Sequence, residues 1–368
     1  MRIALISHSS LYWTKLYASS LLEHGHDVRV MSFSNDALDG VEVEYIGSGT
    51  PGRAKGVAYL TRVPQLRRRL RSFDPDVVLA TYASSNGLAA ALCHPRALVI
   101  SAHGTDVFGT PGGAWLHGKM MRFACRRADA IHAVSQPIAD VLIGYGIPPE
   151  RFTCFPIGTD LDWYTPGTWP APEGRSSIVS TRRQEPVYGN DTLIAALARL
   201  RDEGLDVTAS VIGGGSLLET YRERVSSLGL DQRVELPGQV SAEDVRRALQ
   251  ESDVYVSASR SDGTSSSLLE ALACGLFPVV TAIPANEAWV EDGVTGLLFE
   301  VGDERGLADA LRRAVLDDAL RSAAREQNRA RVATDGNIAV NMERMEQLLV
   351  EVAERRATSG SRTIHASG

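Results

Sequence analysis

The chain has 368 residues, 44% of them hydrophobic and 23% charged, with a formal net charge of −7. That balance describes a soluble globular protein and argues against general nucleic-acid binding, and no run reaches the ~18 consecutive apolar residues needed to span a bilayer. At roughly 150 residues per core, the length asks for two domains. Cys93, Cys125, Cys154 and Cys274 are scattered in or beside apolar runs without paired spacing, which predicts buried, reduced thiols in a cytoplasmic protein, with no disulfide or zinc site.

The opening MRIALISHSSLYW turns polar at Ser7, so it reads as a buried first strand and not as a signal peptide. Strand-like runs follow at residues 3–7, 28–33, 41–46, 77–82, 97–102, 131–135 and 152–157. Helical stretches at 12–24, 57–72, 115–128 and 136–145 lie between them. This alternation predicts a parallel sheet with helices on both faces, in a domain over 1–163. The stretch 164–174 carries three prolines and two glycines and reads as a linker. The rhythm restarts with strands at 177–181, 207–212, 234–236, 254–257, 278–281 and 296–299, predicting a second domain over 175–334. A helix within 335–355 is expected to pack back on the first domain, and 356–368 reads as a disordered tail. The fold class is therefore α/β, with two Rossmann-like, doubly wound sheets. Facing across a cleft, such domains put ligands at the loops leaving the strands' carboxyl ends.

The strongest local signal is Ser259-Arg-Ser-Asp-Gly-Thr-Ser-Ser-Ser-Leu-Leu-Glu-Ala-Leu-Ala-Cys-Gly275, directly after the strand at 254–257. Asp262 and Gly263 form a turn, and the hydroxyls of Thr264 and Ser265 can cap a helix whose apolar residues recur at helical spacing until Gly275. A helix start carries free N–H groups and about half a positive charge, which suits phosphate oxygens. Gly263 leaves room for a ligand, Asp262 can accept from sugar hydroxyls, and Glu270 lies two turns along the helix. An ordinary capped helix with an exposed Glu is the plainer reading of the same residues.

This segment resembles the Glu-x7-Glu region of family 4 glycosyltransferases, here Asp262-x7-Glu270. The resemblance extends through Val279-Val-Thr281, Asn286-Glu-Ala-Trp-Val-Glu-Asp-Gly-Val-Thr-Gly-Leu-Leu-Phe299 and Phe155-Pro-Ile-Gly-Thr-Asp160. It implies the GT-B fold and metal-independent transfer with retention, the first acid contacting the transferred sugar and the second the ribose. The expected co-substrate is a nucleoside diphosphate sugar, with no cofactor and no metal. One departure is that the first acid is Asp, not Glu.

Ser180-Thr-Arg-Arg-Gln-Glu-Pro-Val-Tyr-Gly-Asn-Asp191 is similar to the family's Gly-Arg…Lys-Gly loop, in which the basic groups neutralise the diphosphate. Arg182 is the expected phosphate arginine, supported by Arg183, while Tyr188 stands where the family shows lysine. Gly213, Gly214 and Gly215 end the strand at 207–212, and Gly213 is a candidate for close approach of the nucleotide, although such a cluster can be only a tight turn.

In the first domain, Ser101-Ala-His-Gly-Thr-Asp-Val107 is similar to the family's His-Gly-x-Asp. The resemblance makes His103, Asp262 and Arg182 the candidate catalytic residues, with His103 donating to a sugar hydroxyl or positioning the acceptor. Asp106 is either an acceptor contact or a holder of its loop. Where the family carries a glycine-rich loop, this chain has Ser7-His-Ser-Ser-Leu-Tyr-Trp-Thr14, so Ser9, Ser10 and Tyr12 become candidate acceptor contacts. Arg62, Arg67, Arg68, Arg69 and Arg71 make a basic helix. A solvated face is its plainer reading; peripheral contact with the inner membrane is the functional one. The rival to an enzyme is a degenerate GT-B protein that binds a nucleotide or glycan without turnover. A nicotinamide enzyme is disfavoured because the first turn lacks GxGxxG.

Overall fold

A computed structural model of the chain describes residues 1–47, 57–104, 106–107, 114–167 and 176–365. The chain divides into two compact units, residues 1–157 with 340 onward, and residues 158–339.

The first unit runs β1 (Arg2–Ile6), α1 (Tyr12–Glu23), β2 (Asp27–Ser32), β3 (Val43–Tyr45), α2 (Val57–Phe73), β4 (Val77–Thr81), α3 (Asn86–Cys93), β5 (Leu98–Ala102), α4 (Ala114–Arg127), β6 (Ala130–Ala133), α5 (Gln136–Gly144) and β7 (Phe152–Cys154). Its strands pair in parallel in the order β3-β2-β1-β4-β5-β6-β7. All of β4 and β5 is buried, because helices cover both faces of the sheet and neither meets water. Successive side chains alternate between two cores. Ala4 and Ile6 join Leu66, Leu88 and Ile138, while Ile3 and Leu5 join Tyr17 and residues of the last helix.

The second unit runs β8 (Ser176–Ser180), α6 (Asn190–Asp202), β9 (Val207–Ile212), α7 (Leu218–Ser227), β10 (Val234–Gly238), α8 (Ala242–Gln250), β11 (Val254–Ser257), α9 (Ser266–Ala273), β12 (Phe277–Thr281), α10 (Pro284–Glu287), β13 (Leu297–Phe299), α11 (Glu304–Leu316) and α12 (Asp318–Asp335). Its sheet is also parallel, in the order β10-β9-β8-β11-β12-β13. The strand order reverses direction at β1 in one sheet and at β8 in the other. The crevice of each sheet therefore opens between the loops leaving β1 and β4, and between those leaving β8 and β11.

The last helix, α13 (Ile338–His365), carries the chain back to the first unit. Met342, Met345, Leu349 and Val352, at helical spacing, fill the core beside Ile3, Leu5 and Tyr17. Glu346 on the same helix binds both His24 and His26, the latter at 2.7 Å.

Four features depart from the sequence reading. The first unit ends after Ile157, not at 163, and the stretch read as a linker from 164 is tied to the second unit. There the Thr159 N–H donates to the Gly336 carbonyl at 2.8 Å, Gln250 Nε2 to the Thr165 carbonyl at 2.9 Å, and Arg325 to the Gly167 carbonyl at 3.1 Å. Proline and glycine report the lack of a helix or strand there, not the lack of contacts; residues 168–174 of the predicted linker lie outside the described residues. Next, the sequence pattern ends the last helix at 355, whereas α13 continues to His365. The Thr358 hydroxyl bonds back to the Glu354 and Arg355 carbonyls at 3.1 Å, which lets a polar residue sit inside the helix. Residues 366–368 of the predicted tail lie outside the described residues. The third difference is α3, which has no predicted counterpart, because it is buried on nearly every side and has no polar face to reveal its period. Finally, Cys93, Cys125 and Cys274 are buried thiols, but Cys154 is exposed because β7 is an edge strand. Among the described residues no helix is long and apolar enough to cross a membrane.

Candidate functional site

In the second unit, β8 and β11 are adjacent, so the loops that leave them begin side by side. Arg182, two residues past β8, is 9% exposed. Its guanidinium crosses to the neighbouring loop, where Nη1 donates to Ser265 Oγ at 2.9 Å and to Ser267 Oγ at 2.8 Å, and Nη2 pairs with Asp262 Oδ2 at 2.5 Å. The Tyr188 ring lies over the guanidinium at 4.4 Å, and the Tyr255 hydroxyl donates to Ser267 Oγ at 3.1 Å. Burial pulls the Arg182 pKa down, but Asp262 and the two tyrosine hydroxyls outweigh it and raise it above the usual value.

The consequence is a rigid start to α9. Asp262 Oδ1 accepts the Gly263 N–H at 2.8 Å, Thr264 Oγ1 donates to the Gly263 carbonyl at 2.9 Å, and Ser265 Oγ caps the Leu268 N–H at 3.2 Å. Arg182 is thus a strut inside the site. The guanidinium is engaged by Asp262, Ser265 and Ser267, partners that the sequence did not single out for it. The side chain of Arg183 is 68% exposed, with Glu185 at 3.7 Å as a loose partner, so Arg183 is the accessible guanidinium. Nothing in a pair of adjacent arginines tells which one turns inward.

Gly213 also has a role inside the chain. Its φ of +139° and the space around it serve the chain's own packing, since a Cβ there would stand 2.8 Å from the Arg182 carbonyl oxygen. Glu270, on the second turn of α9, has its carboxyl pushed up to about 7 by burial, against a hydrogen bond from Tyr164 and the charge of Arg182. Tyr164, Tyr255 and Ser267 escape sequence reasoning. Tyr164 sits in a stretch that reads as a linker, and the other two read as ordinary strand and helix positions.

In the first unit, His103 follows β5. Its Nε2 lies 3.0 Å from Ser101 Oγ, and its ring stacks on Trp13 with centroids 5.0 Å apart, with Tyr82 at 5.3 Å. Burial, then the neighbouring His132, lowers its pKa to about 3, so the imidazole is neutral at physiological pH. Asp106 is 5% exposed, and its oxygens accept N–H groups from Ala83 at 2.6 Å, His103 at 3.1 Å and Gly104 at 2.9 Å. Burial raises its pKa against those three bonds. Asp106 therefore holds its loop; Thr105, between Gly104 and Asp106, lies outside the described residues.

Ser9 is likewise internal, 2% exposed, with its N–H on Ser32 Oγ at 2.9 Å and its hydroxyl on the Ser34 carbonyl at 3.2 Å. Ser10 and Tyr12 remain open, Tyr12 at 67%. Of the three polar candidates in this loop, the buried one shapes it and the two exposed ones can meet a ligand. Among the described residues no three His, Cys, Asp or Glu side chains gather as metal ligands do.

Two family models match the chain, Glycosyltransferase Family 4 over residues 14–163 and Glycosyl transferases group 1 over residues 166–331. The chain is 27% identical over 283 residues to a GDP-mannose-dependent alpha-(1-6)-phosphatidylinositol monomannoside mannosyltransferase of Mycolicibacterium smegmatis, covering 70% of each. It is 32% identical over 215 residues to a D-inositol 3-phosphate glycosyltransferase of Actinosynnema mirum, covering 53% of this chain and 51% of that one. Among solved structures, Anabaena HepE in complex with UDP and glucose superimposes with a TM-score of 0.78 at 18% identity, covering 95% of this chain and all of HepE, which speaks for the fold alone.

Proposed function

Because the chain belongs to the family 4 glycosyltransferases, with the GT-B fold, we propose that it moves a hexosyl group from a nucleoside diphosphate sugar to an acceptor hydroxyl, retaining the anomeric configuration. The observation that carries this reading is the braced start of α9, where Arg182 locks Asp262, Ser265 and Ser267; Arg183, the next residue along the chain, is largely exposed. A diphosphate seated there meets the positive end of a helix dipole and a fork that can bind two oxygens at once. Glu270 then receives the ribose hydroxyls, and Asp262, retracted onto Arg182, meets the hexose. Tyr188 braces Arg182 where the family shows a lysine, so Arg183 supplies the mobile positive charge.

In the transfer, the bond from C1 of the sugar to the β-phosphate oxygen breaks, and a bond from the acceptor oxygen to C1 forms on the same face. The acceptor proton passes to the departing phosphate oxygen. Charge developing on that oxygen is met by groups already in place, so the catalysis is chiefly electrostatic. Relatives named for GDP-mannose and a neighbour bound to UDP differ in base, and the donor test therefore spans both. For an acceptor carried on an anionic membrane, Arg68, Arg69 and Arg71 are the exposed docking groups of α2, and cosedimentation with phosphatidylglycerol vesicles tests that contact.

Incubation with a panel of UDP-, GDP- and dTDP-hexoses is expected to release free nucleoside diphosphate from one of them. The anomeric proton coupling of the product reports retention. Tight binding of a donor without any release over a range of acceptors would instead mark a binding protein.

A further inference from the structure

Behind His103 the first unit holds a chain of hydrogen bonds that the proposed transfer does not yet use. His132, on β6 between β5 and the edge strand β7, is fully buried, with its ring against Phe155 at 4.1 Å between centroids. Its Nε2 lies 2.8 Å from the Phe155 carbonyl oxygen, and its Nδ1 lies 2.8 Å from Ser101 Oγ. Ser101, also fully buried, lies in turn 3.0 Å from His103 Nε2. A histidine on a strand buried on both faces is far from solvent, and among the described residues no carboxylate binds this one.

The direction of every bond follows from one fixed end. A carbonyl oxygen can only accept, so His132 Nε2 carries a proton and donates it to Phe155. An unpaired charge on a buried ring is costly, so His132 is neutral and its Nδ1 holds a lone pair. Ser101 therefore donates its single hydroxyl proton to that lone pair. With that proton committed, the Ser101 oxygen can only accept from His103, which places the His103 proton on Nε2. The Nδ1 of His103 is left with a lone pair, and among the described residues no hydrogen bond reaches it.

We propose that Ser101 and His132 are positioning residues that hold His103 in its Nε2–H tautomer, so that its Nδ1 accepts a hydrogen bond from a substrate hydroxyl. The proposal rests on the reading of His103 as a residue of the transfer site. It reverses the polarity expected from sequence, because a histidine locked in this way receives a proton-bearing group instead of donating to one. Trp13, stacked on the ring, and Asp106, holding the His103 and Gly104 amides, restrict the ring's plane and the loop that carries it. Two buried polar side chains and one carbonyl thus decide which atom of a third residue is offered to ligand.

The test is nitrogen-15 NMR of the histidine rings in the full chain, alone and as His132→Phe and Ser101→Ala. In the unmodified protein His103 is expected to show a protonated Nε2 and a bare Nδ1. His132→Phe removes the acceptor for the Ser101 proton, which then turns toward His103 Nε2 and moves the tautomer to Nδ1–H. Ser101→Ala, the smaller change, leaves Nε2 without its partner and mixes the tautomers. Turnover is expected to fall on the order of tenfold in each variant with the donor KM unmoved, less than the ~10²-fold or more of a residue that transfers the proton itself. A bare Nε2 in the unmodified protein, a tautomer indifferent to both substitutions, or full turnover in a variant whose tautomer has changed would overturn the proposal. A chain inactive with every donor would refute the proposed transfer, while the nitrogen spectra would still decide the tautomer.

Discussion

The two strand-end sites are built from opposite materials. In the second unit, the loops after β8 and β11 are joined by charge, with Arg182 set into Asp262 and braced by Ser265, Ser267 and Tyr188. In the first unit, the loops after β4 and β5 are joined by neutral groups and by amides gathered on Asp106, around an uncharged His103 among aromatic rings. A diphosphate needs fixed positive charge, and a hydroxyl needs oriented lone pairs in a place of low polarity. The proposed transfer uses that difference, with phosphate chemistry in one sheet and hydroxyl chemistry in the other.

The largest effect expected of breaking this contrast comes from Arg182→Ala. Removing one partner of a mostly buried pair leaves Asp262 uncompensated and costs about 3 kcal/mol or more, read as a lowered urea midpoint of the second unit. A variant as stable as the parent would mean that the strut bears no strain. Arg183→Ala should do the reverse. Loss of a charge-assisted contact to phosphate, worth roughly 1.5–3 kcal/mol, weakens donor binding by about tenfold or more. The midpoint should stay within ~0.5 kcal/mol, because the side chain is largely exposed. Calorimetric titration with a nucleoside diphosphate, beside an unfolding curve, separates the two arginines.

Glu270 sharpens the comparison through pH. Its carboxyl, pushed up to about 7, binds a proton in the folded state well above the ~4.3 of an unfolded Glu. Its stabilising contribution is therefore full below about 4.3 and lost as pH rises toward 7. Ligand binding has the opposite sign, because ribose hydroxyls donate to the ionised form. Nucleotide affinity should rise about tenfold between pH 6 and 8, in step with the ionised fraction, and Glu270→Gln should flatten that rise. A rise that persists in the glutamine variant would assign the titration to another group. The smallest effect is that of Tyr164→Phe, which removes a hydrogen bond to the ionised carboxyl worth about 1.5 kcal/mol. The midpoint of the affinity curve should move upward by about one pH unit.

Much of this arrangement was legible in the sequence, and for identifiable reasons. Strands buried on both faces appear as β-branched runs, and the less buried β3, β7 and β10 also fall where such runs do. The helix start at Ser266 follows from the hydroxyls before it and the apolar spacing after it. Contacts made over long sequence distances left no such trace. Ser101 and His132 lie 31 residues apart and meet only because β5 and β6 are neighbours. The partner of Glu270 is a tyrosine in a stretch of prolines and glycines, and the inward turn of Arg182 is visible only once Asp262 stands across from it. Asp106 and Ser9 were recognisable as residues of the right loops, but which polar side chains fold inward to shape a loop is settled by packing.

On this account a nucleoside diphosphate binds at the braced start of α9 with the exposed Arg183 and the buried Glu270 as its contacts. The most direct test is a calorimetric titration of UDP, GDP and dTDP into the chain and into the Arg183→Ala, Glu270→Ala double variant. One nucleotide should bind the parent saturably and lose at least about a hundredfold in affinity in the variant. Equal affinity in both proteins, or no binding of any of the three, would contradict the account.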